Sequence, residues 1–273
     1  MGKTAQHAYA EATALVRQRF GAPPSVVIIL GSGAGGLKDA LTGASSATYG
    51  EIGLPTTSVP GHEGQLLVGQ LGDTRVAMLS GRLHSYEGRP LEETVRAVRA
   101  MAAWGVEVLL MTSAVGSLDA ALRPGDLVLV TDHINLMGIN PLVGPNIDAL
   151  GPRFPDLAQA YDPDLGAQAV AVADALGIEI TSGTYAAVRG PSFETPAEVR
   201  MLGMMGARVV GMSVVPETIA AVHAGMRVLT ISIVSNEGTG LSDTPPNHAE
   251  VTATVAKAAK RLCPLLDALV RQW

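Results

Sequence analysis

The sequence predicts an α/β fold, one domain spanning residues 1–273, with a twisted, mixed central β-sheet flanked by helices. Three observations carry that prediction. The runs SVVIIL (25–30) and VEVLLMTS (106–113) are short, apolar and rich in branched residues, as strands covered on both faces require. Segments with helical apolar spacing lie between such runs, so strand and helix alternate along the chain. QLLVGQLGDTRVAMLS (65–80) reads as two strands joined at Gly72-Asp73, a tight hairpin, which makes the sheet mixed rather than purely parallel.

In chain order, residues 4–19 have helical spacing and end at a Gly-Ala-Pro-Pro break. Strand 25–30 runs into the glycine-rich loop GSGAGG (31–36), and the 65–80 hairpin follows. LEETVRAVRAMAAWG (91–105) is an amphipathic helix closed by glycine. Strand 106–113 leads to a loop, AVGSL, and DLVLVTD (126–132) is a further strand. Residues 133–162 are rich in proline and glycine with weak periodicity, and so long an irregular stretch in a compact domain points to function. Alternation then resumes: helix 164–177, strands IEITSG and TYAAVRG, helix PAEVRMLGMMG, strand ARVVGMS, helix PETIAAVHAG, strand MRVLTISIVSN and a long helix over 248–273.

Hydrophobic residues make up 47% of the chain and aromatics only 4%, so the core is aliphatic. A formal net charge of −6 argues against a nucleic-acid partner, which favours a basic face. The single cysteine, Cys263, has no partner for an internal disulfide, and a cytoplasmic protein is expected. No apolar stretch reaches the length of a membrane span, and the N-terminal residues lack a signal-peptide core. His7, His62, His133 and His223 have no metal-ligand spacing among themselves or with Cys263, so no metal is expected.

In α/β sheets, ligands bind where strands end. Ser32 follows the first strand, and Arg82, His84 and Tyr86 follow the second arm of the hairpin. Ser113 and Ala114, Met212 and Ser213, and Asn236 with Glu237 follow three others. GSGAGG alone fits either a tight turn or a backbone nest for an anion with Ser32 as donor. Its spacing, and the lack of a following acidic residue, speak against a dinucleotide site. Arg82 and His84, two apart in an extended stretch, present a guanidinium fork and an imidazole on one face. The competing reading is a solvated turn in which Arg82 pairs with Glu87. In GPSFETPAE, Thr195, Pro196 and Glu198 form a helix start, which leaves Phe193 and Glu194 to stack on a ring and accept its N–H groups. From spacing alone His248 reads as an ordinary helix-start residue, with Asn247 as the cap.

Together GSGAGGL, VPGHEGQLLVG, GRLHSYEG, TSAVGSL, LRPGDLVLVTDHIN, NPLVGPN, GPRFPDLAQAYD, GPSFETPAEVR, VVGMSVVPETIAAVHAG, SIVSN and NHAEV resemble, in order, the trimeric purine nucleoside phosphorylase family. They span about four-fifths of the chain. The resemblance implies a phosphorylase/hydrolase-like sheet and cleavage of inosine or guanosine, and their 2′-deoxy forms, by inorganic phosphate, a co-substrate, with no cofactor. It places phosphate on Ser32, Arg82, His84, the Ala114 amide and Ser213, and the ribose on Tyr86, Met212 and His248. Phe193, Glu194, Val210 and Asn236 would hold the base, with Asn236, Glu194, His84 and His248 as the catalytic set. Phe154 would reach a neighbour's ribose site in a homotrimer. Ser113 stands where asparagine is usual, GSL (116–118) resembles methylthioadenosine phosphorylases, and Arg189 replaces a small residue. Those departures leave open a methylthioadenosine or methylthioinosine phosphorylase, or a non-catalytic binding protein on the same scaffold.

Overall fold

A computed structural model describes residues 2–31, 34–59, 63–241 and 248–273, with side chains undescribed for 2–5, 34 and 248–250. The nine strands are β1 (Val26–Leu30), β2 (Thr42–Thr48), β3 (Gln65–Leu71), β4 (Thr74–Ser80), β5 (Val108–Ser117), β6 (Leu127–Asn135), β7 (Ile180–Ala187), β8 (Val209–Gly211) and β9 (Arg227–Glu237). They form one sheet in the order β2-β3-β4-β1-β5-β8-β7-β6-β9, with an additional β5–β9 pairing. That extra pairing closes β5, β8, β7, β6 and β9 into a ring, so half of the sheet is a distorted barrel. β3 and β4 are antiparallel across the hairpin at Gly72-Asp73, while β1 lies parallel to both β4 and β5. The mixed α/β sheet flanked by helices is the fold class the sequence predicts.

Among the described residues, seven α-helices cover the sheet: α1 (Gly2–Phe20), α2 (Leu91–Thr94), α3 (Arg96–Trp104), α4 (Pro163–Ala175), α5 (Pro196–Met204), α6 (Val215–His223) and α7 (His248–Val270). Strand β1 shows why both faces need covering. Val27 and Ile29 pack with Val16 of α1, Met101 of α3 and Ile219 of α6. Val26, Ile28 and Leu30 pack with Leu165 of α4 and Leu262 and Leu266 of α7. All five β1 residues are buried, so its apolar run has no alternation.

Four elements differ from the sequence-based expectations. β2, TGASSAT, has no apolar pattern and forms because its backbone pairs antiparallel with β3 at the sheet edge. All but Leu118 of the stretch expected as the loop AVGSL is instead the second half of β5, held by β9 throughout and by β8 at Gly116 and Ser117. IEITSG and TYAAVRG are one strand, β7, because Gly183 pairs with Val130 of β6 and the slip that follows falls at Thr131 on β6. The helix expected over 91–105 is broken at Val95 into α2 and α3, and Gly105 closes it with φ 115°.

Candidate active site

Strand β5 is the spine of the site. Near its middle, Thr112 accepts a hydrogen bond at Oγ1 from the Gly31 amide at 2.8 Å and donates to the Ile29 carbonyl at 3.3 Å. A Cβ on Gly31 would lie 2.5 Å from the Thr112 carbonyl oxygen, so the first residue after β1 must be glycine for the two strands to approach. The Thr112 carbonyl in turn accepts from Nη2 of Arg82. Ser113 faces the other neighbour, its Oγ 2.8 Å from the Ser232 hydroxyl of β9.

At the far end of β5 the ladder slips: Val115 pairs with Val234, but Gly116 pairs with Asn236, so Ser235 is the extra residue of a bulge. The Ser235 hydroxyl lies 3.0 Å from the Val115 carbonyl and 2.8 Å from Asn236 Oδ1, while Asn236 Nδ2 donates to the Glu237 carbonyl at 3.0 Å. The bulge aims Asn236 away from the ladder, and these bonds orient its amide. Gly116 leaves the space beside it, since a Cβ there would meet Val210 Cγ1 at 3.3 Å and Asn236 Nδ2 at 3.4 Å.

GRLHSYEG forms the opposite wall, and it is not a solvated turn. Arg82 is 5% exposed and pairs through Nη1 with Glu217 Oε1 at 3.3 Å, both side chains being buried. Glu217 stands in the first turn of α6, and burial pushes its carboxyl above the usual range while Arg82 opposes that rise. The expected alternative partner, Glu87, is engaged elsewhere. It accepts from the His84 amide at 2.7 Å, the Ser58 amide at 2.9 Å and the Ser58 hydroxyl at 2.8 Å, with His84 Nδ1 at 3.4 Å. The His84 and Tyr86 rings stack with centroids 4.7 Å apart.

Burial alone would raise the Glu87 pKa, but the Ser58 and His84 amides and the Ser58 hydroxyl hold it below the ordinary value. Glu87→Ala should therefore cost about 1–3 kcal/mol, the penalty for orphaning such donors. With a depressed pKa in the folded chain, that contribution is present above the carboxyl's unfolded pKa and lost as pH falls through the folded one. Melting curves of the wild type and Glu87→Ala should differ at pH 7 and converge in acid; a constant gap would assign the cost to packing instead.

The third wall is the turn between β8 and α6. Val214, fully buried, has φ 71° and ψ −54°, and the Val215 amide donates to the Ser213 carbonyl at 2.8 Å. This is a γ-turn with positive φ, a strained geometry for a branched residue, costing on the order of 1–3 kcal/mol. The Ser213 amide donates to the Tyr185 hydroxyl at 3.3 Å, and burial raises the Tyr185 phenol to about 12. The strain buys a sharp reversal that leaves Met212 and Ser213 facing the space above β5.

These walls enclose a cavity of about 300 Å³. Arg82, His84, Tyr86, Ala114, Phe193, Glu194, Val210, Met212, Ser213 and Asn236, drawn from distant parts of the sequence, all line it. Thr195 caps α5 with the reciprocal Glu198 bonds that GPSFETPAE predicts, and Phe193 and Glu194 precede it at the cavity wall. Burial raises the Glu194 carboxyl pKa. Ser32 lies outside the described residues, and so does the side chain of His248, whose backbone opens α7. Phe154 is not in this wall: it is 86% exposed, with the Arg153 guanidinium 5.5 Å from its ring centroid. Among the described residues no group of three or more His, Cys, Asp or Glu is arranged to hold a metal ion. No described helix is long and apolar enough to cross a membrane.

Sequence reasoning missed Glu217, Tyr185, Ser235 and Val251, the last of which lines the cavity from α7. Glu217 left one signal, a carboxylate inside a mostly apolar helix, but nothing in the spacing ties it to Arg82. Ser235 and Tyr185 matter through a bulge and a cross-strand hydrogen bond, which have no sequence signature.

The description "Phosphorylase superfamily" belongs to a family model that matches residues 25–271. Purine nucleoside phosphorylase 1 of Bacillus subtilis is 46% identical over 263 residues, covering 96% of this chain and 97% of that protein. The Bos taurus purine nucleoside phosphorylase is 42% identical over 251 residues, covering 88% and 86%. Among solved structures, the Schistosoma mansoni purine nucleoside phosphorylase in complex with inosine matches with a TM-score of 0.93 at 38% identity, covering 98% of this chain and 96% of that one. A Schistosoma purine nucleoside phosphorylase in complex with guanosine matches at 0.90 and 37% identity, covering 97% and 96%. The likeness extends over the whole sheet and every segment that lines the cavity, and the chain belongs to the phosphorylase superfamily and, within it, to the purine nucleoside phosphorylases, which are pentosyltransferases.

Proposed function

We propose that this cavity cleaves inosine and guanosine, with their 2′-deoxy forms, by phosphorolysis, and that phosphate and purine occupy opposite ends of it along β5. The observation that carries the reading is the placement of the two polar ends on one strand. Arg82 is tied to Thr112 and Asn236 lies opposite Gly116, four residues further along. At about 3.3 Å per residue that is roughly 13 Å, the span of a nucleoside with a phosphate beneath its sugar.

Phosphate is held by Arg82, His84, Ser213, the Ala114 amide and Ser32; Tyr86, Met212 and His248 contact the ribose. Phe193 and Val210 enclose the base. Breaking the N-glycosidic bond leaves positive charge on the sugar and negative charge on the purine. A phosphate dianion below the anomeric carbon stabilises that cation and then bonds to it, giving ribose 1-phosphate. The departing purine takes a proton from water at N7, where Asn236 Oδ1 accepts, and Glu194 accepts from N1–H. Phosphate is the nucleophile, so the chemistry needs no cofactor and no covalent protein intermediate. The exposed Phe154 completes a neighbouring subunit's ribose site in a homotrimer, and the enzyme works in the cytoplasm.

The test is a nucleoside panel assayed with and without phosphate. Hypoxanthine release from inosine should require phosphate and yield ribose 1-phosphate. Turnover in its absence would show a hydrolase, and faster cleavage of methylthioadenosine or methylthioinosine would reassign the 5′ preference. Ser113 does not favour that alternative, since its hydroxyl is engaged with Ser232.

A further inference from the structure

A second cavity, of about 500 Å³, shares no lining residue with the first. It lies between α2, α3, the end of α6 and the irregular 138–147 stretch that follows β6. Most of its wall is apolar, including Ile139, Leu142, Val143 and Ile147. Arg99 of α3 is the exception. This arginine is 6% exposed, and of its guanidinium nitrogens only Nη2 has a partner, the Pro141 carbonyl at 3.0 Å. Its Nε is buried with no hydrogen-bond partner.

The two buried arginines of this chain make the contrast. Arg82 has Glu217 at 3.3 Å, whereas Arg99 makes no ion pair among the described residues. Glu92, the carboxylate in the cavity wall, is exposed and outside ion-pair distance of Arg99. His223, 3% exposed in the same wall, adds no negative charge, its Nε2 lying 3.3 Å from Asn146 Oδ1. A guanidinium cannot shed its charge by deprotonating at ordinary pH, so burial without a counter-ion leaves a standing electrostatic penalty. Burial also pulls the Arg99 pKa down, and the opposing attraction of Tyr9 and of the exposed Glu92 does not offset it.

We propose that this cavity is an oxyanion site in which Arg99 binds a carboxylate-type head while the apolar wall receives the body attached to it. A planar fork of donors matches two carboxylate oxygens, and an apolar wall around one cation selects a single charged head over a fully hydrated ion. The carboxylate belongs to a small solute.

Benzoate is the probe, titrated into the full-length protein in phosphate-free buffer by calorimetry and thermal melting, with sedimentation velocity run in parallel. For a solute site, benzoate should bind saturably and raise Tm. Arg99→Gln should abolish the binding and Arg99→Lys weaken it at least tenfold. Val143→Trp, at a rim position 83% exposed, leaves the guanidinium in place and should also block entry, which covers a failure of Arg99→Gln to fold. If the wild type ignores benzoate and Arg99→Gln and Arg99→Lys sediment as smaller species, Arg99 serves contacts between subunits and the solute site is overturned. Benzoate binding that survives Arg99→Gln and Val143→Trp, or no binding with unchanged sedimentation in the Arg99 variants, would overturn the proposal.

Discussion

Arg82→Gln is expected to cut phosphate-dependent cleavage of inosine by roughly 10²–10³-fold, the scale for removing one preorganised group that stabilises a charged transition state. The loss should fall on kcat/KM for phosphate, with little change in the KM for inosine. The same change should also destabilise the fold. Glu217 is 3% exposed, and without Arg82 it is a buried carboxylate with no cation. Breaking such a pair from one side costs about 3–5 kcal/mol. Burial already raises the Glu217 pKa, and removing Arg82 takes away the cation that opposes the rise. With a folded pKa above the unfolded one, stability is greatest below the unfolded pKa and falls as pH rises through the folded value. Arg82→Gln should therefore melt progressively earlier, relative to the wild type, between acid and neutral pH. Arg82→Met combined with Glu217→Leu removes both charges and should recover most of the stability while leaving cleavage as poor as in the single variant. Recovery of activity in the double variant would show that Arg82 serves the fold and not the phosphate.

Glu194→Gln should cost inosine cleavage about 1–1.5 kcal/mol, roughly 5- to 12-fold, because it replaces a charged hydrogen bond to N1–H by a neutral one. Adenosine has a lone pair at N1, so its cleavage should hold or improve and the selectivity ratio should collapse. Asn236→Asp should likewise relax the preference toward adenosine. The carboxylate must be ionised to accept from N1–H, and burial raises the Glu194 pKa. Inosine kcat/KM should therefore decline with acid at a higher pH than an ordinary glutamate would give, and Glu194→Gln should lose that limb. Selectivity unchanged in both variants would refute the base-pocket assignment.

How far these positions were legible in the chain differs residue by residue. Arg82 and His84 stand out because dense polar chemistry directly after an apolar strand is costly without a purpose. Phe193 and Glu194 stand out because the Thr195–Glu198 capping box explains its own residues and leaves those two over. What Arg82 binds inside the protein is a different matter: Glu87 is its neighbour in sequence, yet Glu217, 135 positions away, is its partner. The reason is topological: β1 sets the end of β4 on one side of β5, while β8, which leads into α6, pairs with β5 on the other.

Apolar runs, helical spacing, glycine breaks and capping residues are local, and they suffice for the mixed α/β class and for most element positions. They also suffice for the list of residues at strand ends, because a strand's carboxyl end is a position along the chain. Pairing energy between strands is not local. It converts AVGS from a loop into the second half of β5, adds β2 with no apolar pattern of its own, and closes the ring through β9. The slip at Ser235 that aims Asn236, the strained turn at Val214 and the counter-ion beneath Arg82 all arise from contacts between distant segments. Only the folded chain could set them, since each depends on which backbone lies alongside which.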